Sequence, residues 1–273
     1  MQDVIVIGGG LFGCIITRKL RLMGLSVDLL DSPRKGAGSI PAACLMKPSW
    51  FSGLGQTVST PSLQLLDDLY GLQDIRFRVG PVHTMVHWVQ PSHVLSEPRR
   101  EADVERVDLG GRVWLRGQET PLEARLVVVA AGVWSNELLP PEARVEGLAG
   151  RAGMAFLWPG QIQEPFISPW APYRQLVAFN RDPGHIWTGD GSAIIPKNWG
   201  VENQIKSEDR CASAIGRRDH DPAQRLYGIR PYFSGKGPCA ITSHGDRLWV
   251  ATGGAKNGTI AAAWCAHLIS TRL

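Results

Sequence analysis

Six residues near the start of the sequence constrain this chain more than any others. Gly8-Gly9-Gly10-Leu11-Phe12-Gly13 follows the apolar, β-branched run Val4-Ile5-Val6-Ile7, which is long enough for a buried parallel strand. Apolar positions Leu11, Ile15, Ile16 and Leu20 then recur at helical spacing, and Gly24 ends that helix. A second strand, Val27-Asp28-Leu29-Leu30, finishes on Asp31. Strand, glycine turn, helix, strand and acid in this order form the fingerprint of a dinucleotide site. Gly8 permits the tight turn, Gly10 lets the backbone approach a pyrophosphate with no Cβ in the way, and Gly13 lets the helix pack close to the strand. The helix start offers N–H groups and the positive end of its dipole to phosphate. Asp31, about twenty residues beyond the glycines, is placed to accept hydrogen bonds from ribose hydroxyls.

A chain of 273 residues can bury a large core, as one large domain or two smaller ones. A net charge of +4 permits an anionic substrate or a polyanion without requiring either. With the first strand expected from the fourth residue, no signal peptide is expected upstream, and no apolar run approaches a membrane span. Cys14, Cys44, Cys211, Cys239 and Cys265 are scattered and form no CxxC pair. They read as reduced intracellular thiols, so a cytoplasmic protein without a membrane partner is expected. His185, His220 and the other histidines show no ligand spacing, and no metal is expected. Ten tryptophans are many for this length and predict core or pocket lining.

After Asp31 small residues dominate from Ser32 to Ala43, as they must where backbone passes close to a flat ligand. Arg34 and Lys35 in this stretch suit phosphate or ribose, and equally suit solvent. Thr60 reads as an N-cap, with Pro61 at the first helical position and Gly71 as the stop. Residues 73–126 read as β-rich, with strands near Ile75–Val79, Thr84–Val89, Val104–Val107 and Arg112–Arg116 and a turn at Gly110-Gly111. The fully apolar run 126–131, Leu-Val-Val-Val-Ala-Ala, belongs in the middle of a covered parallel sheet beside the first strand. Residues 150–200 suggest a second, antiparallel sheet. A further strand, Leu248–Thr252, runs through Gly253-Gly254-Ala255-Lys256-Asn257-Gly258 into an apolar helix from Thr259 to about Ile269.

Several separated pieces together resemble the glycine oxidase, D-amino-acid oxidase and sarcosine oxidase family of FAD-dependent amine oxidases. Its glycine fingerprint matches Gly8, Gly10 and Gly13. Its small-residue segment along the isoalloxazine looks like Gly38-Ser39-Ile40-Pro41-Ala42-Ala43. Its Ala-Gly-Xaa-Trp-Ser matches Ala131, Gly132, Trp134 and Ser135, and its Gly-Xaa-Arg-Pro matches Gly228, Arg230 and Pro231. Its C-terminal Gly-His-Phe-Arg-Asn-Gly corresponds to Gly253 through Gly258. The resemblance implies an α/β fold: a Rossmann-type FAD-binding domain (1–72, 102–150 and 226–273) with a reduced antiparallel substrate domain (73–101 and 151–225). It implies non-covalent FAD, met by Gly8, Gly10, Leu11, Phe12, Gly13, Asp31, Ser32, Arg34, Lys35, Ser39, Ala42, Ala43, Cys44 and Leu45. Val104, Ala131, Gly132, Trp134, Gly228, Arg230, Gly254, Lys256, Asn257, Gly258, Thr259 and Ile260 complete that set. Two departures stand out. The family's C-terminal arginine is Lys256 here and its histidine is Gly254, so a second guanidinium clamp is not expected. The chain is also shorter than family members of ordinary size, which predicts a reduced lid over the substrate.

The implied chemistry is hydride loss from Cα–H to flavin N5, leaving an imine that water hydrolyses, with the protein supplying orientation and electrostatics. Arg230 can take a substrate carboxylate bidentately, or serve as a structural arginine at a strand edge. Tyr232, on the same strand face, can hydrogen-bond the substrate or simply pack. Lys256 and the following helix start would lie near the flavin's pyrimidine edge, where a cation favours the reduced anion. These three make up the candidate catalytic set. A carboxylate-binding Arg230 suggests a glycine-type amine, primary or N-substituted, with molecular oxygen as acceptor and glyoxylate released. One family branch acts on a carboxymethyl group of a tRNA uridine; a phage relative cleaves glycine from a thymine methyl group in DNA. A reduced lid, an excess of basic residues, and Arg210, Arg217, Arg218 and Arg225 would suit such a nucleic-acid-borne substrate, in a bacterium or an infected host cell. Oxidation of a free small amino acid, and a non-catalytic FAD protein in a partner complex, are the alternative readings.

Overall fold

The computed structural model describes residues 2–32, 34, 36–171, 174–235 and 238–273. In chain order, β1 (Gln2–Ile7) runs through the glycine turn into α1 (Leu11–Leu22) and β2 (Val27–Asp31). Then come β3 (Leu45–Met46), α2 (Pro48–Phe51), α3 (Gln56–Tyr70), β4 (Gln73–Val79), β5 (Val82–Trp88), α4 (Pro91–Val94) and β6 (Arg100–Glu101). The middle holds β7 (Val104–Val107), β8 (Arg112–Leu115), β9 (Leu122–Val129), α5 (Ser135–Leu138), β10 (Leu148–Pro159), β11 (Phe166–Ala171), β12 (Arg174–Asp182) and β13 (His185–Gly189). Helix α6 (Val201–Ala214), β14 (Gln224–Phe233), β15 (Ala240–His244), β16 (Leu248–Thr252) and α7 (Gly258–Ser270) follow.

The strands form two sheets. The first has the order β15-β16-β9-β1-β2-β6, with β8 pairing β9 and β7 pairing β8. Its centre is parallel: Val4 sits beside Val27 on one side and Leu126 on the other. Alternate residues of β1 and β9 serve opposite faces, and both faces are covered. Val4, Val6, Leu126 and Val128 pack under α1, α3 and α7, whereas Ile5, Ile7, Val127 and Val129 pack against the β7–β8 hairpin and α5. That is why both strands are apolar throughout, and each such side chain contributes about 1.5–3 kcal/mol by its burial. The alanines Ala261, Ala262 and Ala263 of α7 are buried in the layer that α1 shares, small enough for close helix approach. The second sheet, β14-β10-β13-β12-β11-β4-β5-β3, is antiparallel except where β11 pairs β4. An aromatic cluster of Phe77, Trp88, Phe179 and Trp187 fills one face, and α6 contributes Cys211 and Ala212 to the other.

One expected helix start needs correction. The helix expected to start after Thr60 begins at Gln56 and carries Pro61 inside it. Gly55, at φ +75°, turns the chain, and its carbonyl takes the Val58 and Ser59 N–H groups, so a full turn precedes the proline. The Ser62 hydroxyl donates to the Val58 carbonyl at 2.6 Å, one turn back beside the bond that Pro61 cannot make. The domain boundary expected at 226 falls inside β14, a strand of the second sheet. The strand is ten residues long, and its far end bridges to the small-residue segment and to the turn after β16 through Ala37–Ile229 and Tyr232–Gly254. Conversely, Arg100–Glu101, expected in the second unit, extends the first sheet along the open edge of β2, and Leu45–Met46, expected in the first, pairs with β5.

Candidate active site

A cleft of about 590 Å³ lies between the carboxyl ends of the first sheet's strands and the inner face of the second. Ligands of doubly wound sheets bind at that place, since the strand ends there leave backbone groups unpaired. The turn after β1 explains its own glycines. Gly8, at φ +109°, would carry a Cβ 2.6 Å from the Ala130 carbonyl, and a Cβ on Gly13 would fall 1.8 Å from the Gly8 carbonyl. Gly13 itself is buried under the turn, where it lets the helix pack, and it does not line the cleft. Gly10, Leu11 and Phe12 do line it. The Leu11 N–H donates to Ser39 Oγ at 2.9 Å, so Ser39 stands at the helix start.

Asp31 reaches the cleft with both oxygens engaged: Oδ1 accepts the Gly9 N–H at 2.8 Å and Oδ2 the Arg99 Nη1 at 3.2 Å. Arg99 also donates to the Gly9 carbonyl at 2.8 Å and to the Leu95 carbonyl. Arg99 carries no signal in the sequence, because it meets Asp31 through the pairing of β6 with β2. Ser32 and Arg34 line the cleft. Arg34 is held by Glu137 at 2.9 Å and lies over the Trp134 ring, so it is neither free in solvent nor an open phosphate clamp. Lys35 lies outside the described residues. Ala42, Ala43, Cys44, Leu45, Val104, Ala131, Gly132 and Trp134 all line the cleft.

The small-residue segment crosses β14 at close range. A Cβ on Gly38 would sit 2.6 Å from the Ile229 carbonyl, and one on Gly228 would sit 2.6 Å from Pro41 Cγ. Gly228 therefore makes room for that segment and does not line the cleft. Cys44 follows at φ +52°, and burial pushes its thiol up to about 11, partly offset by a hydrogen bond with Thr259.

The opposite end of the cleft is made of side chains. Arg230 lines it, with Nη2 donating to the Ser192 carbonyl at 2.7 Å. Burial lowers the pKa of this guanidinium and the Asp190 carboxylate counters it; an arginine stays a cation regardless. Gly254, Lys256, Asn257, Gly258 and Thr259 also line the cleft, which puts the start of α7 beside it. Ile260 is fully buried in the core behind and touches nothing in the cleft, because the helix turns it inward. Burial, then Arg230 and Arg174, lowers the Lys256 pKa. The Asn257 amide donates to the Trp50 carbonyl at 3.2 Å, and the Trp50 indole N–H to Gln175 Oε1 at 2.9 Å, fixing an aromatic wall. Tyr232 departs from expectation. It shares the strand face of Arg230, but at the strand end its ring is 41% exposed beneath Arg151 and does not line the cleft.

Two of the four arginines read as one basic run are matched within the protein. Arg210 pairs with Asp190, and Arg225 with Glu208 and Asp221, while Arg218 donates to Ser213 Oγ. All five cysteines are free and buried. Among the described residues no helix is long and apolar enough to cross a membrane.

The fold and cleft define an α/β protein with a Rossmann-type nucleotide half and a mixed second sheet. The sequence profile of the DAO family, FAD dependent oxidoreductase, matches residues 97–272, and the chain belongs to this family. No curated protein matches it in sequence. Its fold is similar to that of a glycine oxidase from Bacillus cereus ATCC 14579, with TM-score 0.72 and 14% identity over 100% of this chain and 98% of that one. L-alpha-glycerophosphate oxidase from Mycoplasma pneumoniae, solved with FAD bound, gives TM-score 0.75 and 13% identity over 100% and 94% of the two chains. L-proline dehydrogenase from P. horikoshii gives 0.74 and 12% over 99% and 93%. At these identities the likeness is one of fold. The cofactor is FAD, and the residues present fit it: a glycine turn that a Cβ would close, an acid at the second strand's end, and a close-packed strap of small residues.

Proposed function

We propose that the protein is an amine oxidase acting on a glycine-type substrate, primary or N-substituted. The observation that carries this reading is Arg230, a guanidinium enclosed at the end of the cleft opposite the nucleotide turn, with one donor fixed on the Ser192 carbonyl and no carboxylate ion pair among the described residues. FAD, held non-covalently, supplies a two-electron acceptor for a hydride from the carbon that bears the amine. Arg230 binds the substrate carboxylate and so fixes which C–H faces the cofactor. Lys256 and the start of α7 add a positive field at the same end of the cleft. Water hydrolyses the released imine, giving glyoxylate when glycine is the unit oxidised, and molecular oxygen is the terminal acceptor. Anaerobic mixing with a panel of amines, followed by loss of the flavin's visible band, tests this. Bleaching by glycine-type amines is expected, and no bleaching by any amine with FAD still bound leaves only the non-catalytic reading.

The finer reading is that the glycine unit is carried on a nucleobase of DNA or RNA, as in the phage thymine-modifying relatives. Support comes from Trp50 and Trp187, whose rings line the substrate end and offer a stacking face, and from the positive net charge. Binding of oligonucleotides that weakens with added salt, and turnover of a glycine-modified nucleoside without peroxide release from free glycine, are expected. Peroxide from free glycine or sarcosine alone favours the small-metabolite reading.

A further inference from the structure

The turn Gly189-Asp190-Gly191-Ser192 leaves β13 directly behind Arg230, and the activity proposed above gives it no task. Asp190 is fully buried, and a buried carboxylate is costly unless it is paired and hydrogen-bonded. Its Oδ2 receives Arg210 Nη2 at 2.6 Å, Arg210 Nε at 3.0 Å and the Ser192 hydroxyl at 2.8 Å; its Oδ1 receives the Ser192 N–H at 2.9 Å. The Trp170 indole N–H donates to the Asp190 carbonyl at 2.7 Å, and the same ring lies 4.2 Å beneath the Arg210 guanidinium. Past the turn, Ile194 is pinned to Ala152 by paired backbone bonds of 2.7 and 3.0 Å. The turn is thus held at both ends and through its centre. Its one outward product is the Ser192 carbonyl, which takes Arg230 Nη2 at 2.7 Å. Gly153 of the neighbouring strand leaves space for this contact: a Cβ there would lie 2.6 Å from the Ser192 oxygen and 2.7 Å from Nη2.

We propose that this turn is a positioning device for Arg230: Asp190, clamped by Arg210, sets the Ser192 carbonyl so that one edge of the guanidinium is fixed and its remaining donors face the substrate carboxylate. The proposal rests on the reading of Arg230 as the carboxylate anchor. Asp190 and Arg210 touch neither substrate nor cofactor and are positioning residues. A guanidinium has a fork of fixed shape, so a tilt that misplaces it costs both hydrogen bonds to a carboxylate together.

The test uses FAD-loaded protein titrated with acetate, the simplest carboxylate, with the perturbation of the flavin's visible spectrum as the signal. Gly153→Ala and Asp190→Asn are each expected to weaken acetate binding by between about ten- and a hundredfold, the worth of one charge-assisted hydrogen bond, while FAD content stays stoichiometric. In an Arg230→Lys background the Gly153→Ala change should have no further effect, because there is no fork left to misplace. A merely structural role would instead give additive losses. Ser192→Ala, which deletes a single contact to Asp190, carries the measurement where Asp190→Asn fails to fold. Unchanged acetate affinity in Gly153→Ala and in the Asp190→Asn or Ser192→Ala variant, with Arg230→Met having lost it, overturns this proposal alone. Unchanged affinity in Arg230→Met overturns the reading of Arg230 and the positioning proposal with it.

Discussion

The two ends of the cleft are built from different materials. At the nucleotide end, much of the lining is backbone and small residues: Gly8, Gly10, Gly132, Ala37, Gly38, Ser39, Ala42 and Ala43, with Asp31 beside them. At the substrate end the same cleft is walled by Arg230, Lys256, Trp50, Trp187 and Gln175, and Arg230, Trp50 and Gln175 are held by partners far away in the chain. A backbone cradle tolerates no added atom, whereas a side-chain wall can be tuned one group at a time. Damage at the first end should therefore be all-or-none, and damage at the second should be graded.

The largest effect is expected at Gly13. Its alanine variant would place a Cβ 1.8 Å from the Gly8 carbonyl, beyond what a repacking of about 1–3 kcal/mol can absorb. Purified Gly13→Ala protein should be colourless or insoluble, and stoichiometric FAD measured by absorbance would break the comparison. Next comes Arg230→Met. FAD content should be unchanged, but the KM for a carboxylate-bearing amine should rise at least about thirtyfold, about 2 kcal/mol or more. A smaller loss, about tenfold in FAD affinity, is expected for Asp31→Ala, with acetate binding by the loaded protein untouched; equilibrium dialysis of FAD measures it.

The Lys256 contribution should show as pH dependence. Burial, Arg230 and Arg174 favour the neutral amine, so its charge is lost on raising the pH through a value below the ordinary 10.5. Acetate binding should weaken over that alkaline limb, and Lys256→Arg should abolish the limb, since its guanidinium stays charged. The smallest effect, less than about twofold in any kinetic constant, is expected for Tyr232→Phe, whose hydroxyl lies off the cleft.

The same contrast explains what could be read in advance. Gly8, Gly10 and Asp31 were legible because the backbone geometry itself demands those residue types at that spacing, and Val4–Ile7 and Val127–Val129 because burial on both faces leaves no polar position. Gly228 shows the limit of such reasoning. The need for a glycine is visible in the sequence, but the neighbour that needs it, Pro41, is nearly two hundred residues away (41 against 228). Alternation placed Tyr232 on the face of Arg230, yet said nothing of how far along the strand the cleft extends. Arg99 and Asp190 were silent for the same reason. Their partners, Asp31 and Arg210, come from other elements, and charged pairs carry no local periodicity. At Pro61 a complete helix-start signature lay inside a helix that Gly55 had already opened.

The packing of α1 against α7 also bears on biogenesis. The glycine turn is synthesised before the rest of its pocket, which also needs Ala131, Met154, Arg230 and Thr259. Nascent chains that stop short of residue 258 have a phosphate-ready loop and no opposite wall, with the apolar layer meant for α7 bare to solvent. Cofactor capture is therefore expected to wait until α7 is in place, and until then the bare apolar layer is open to chaperones and proteases.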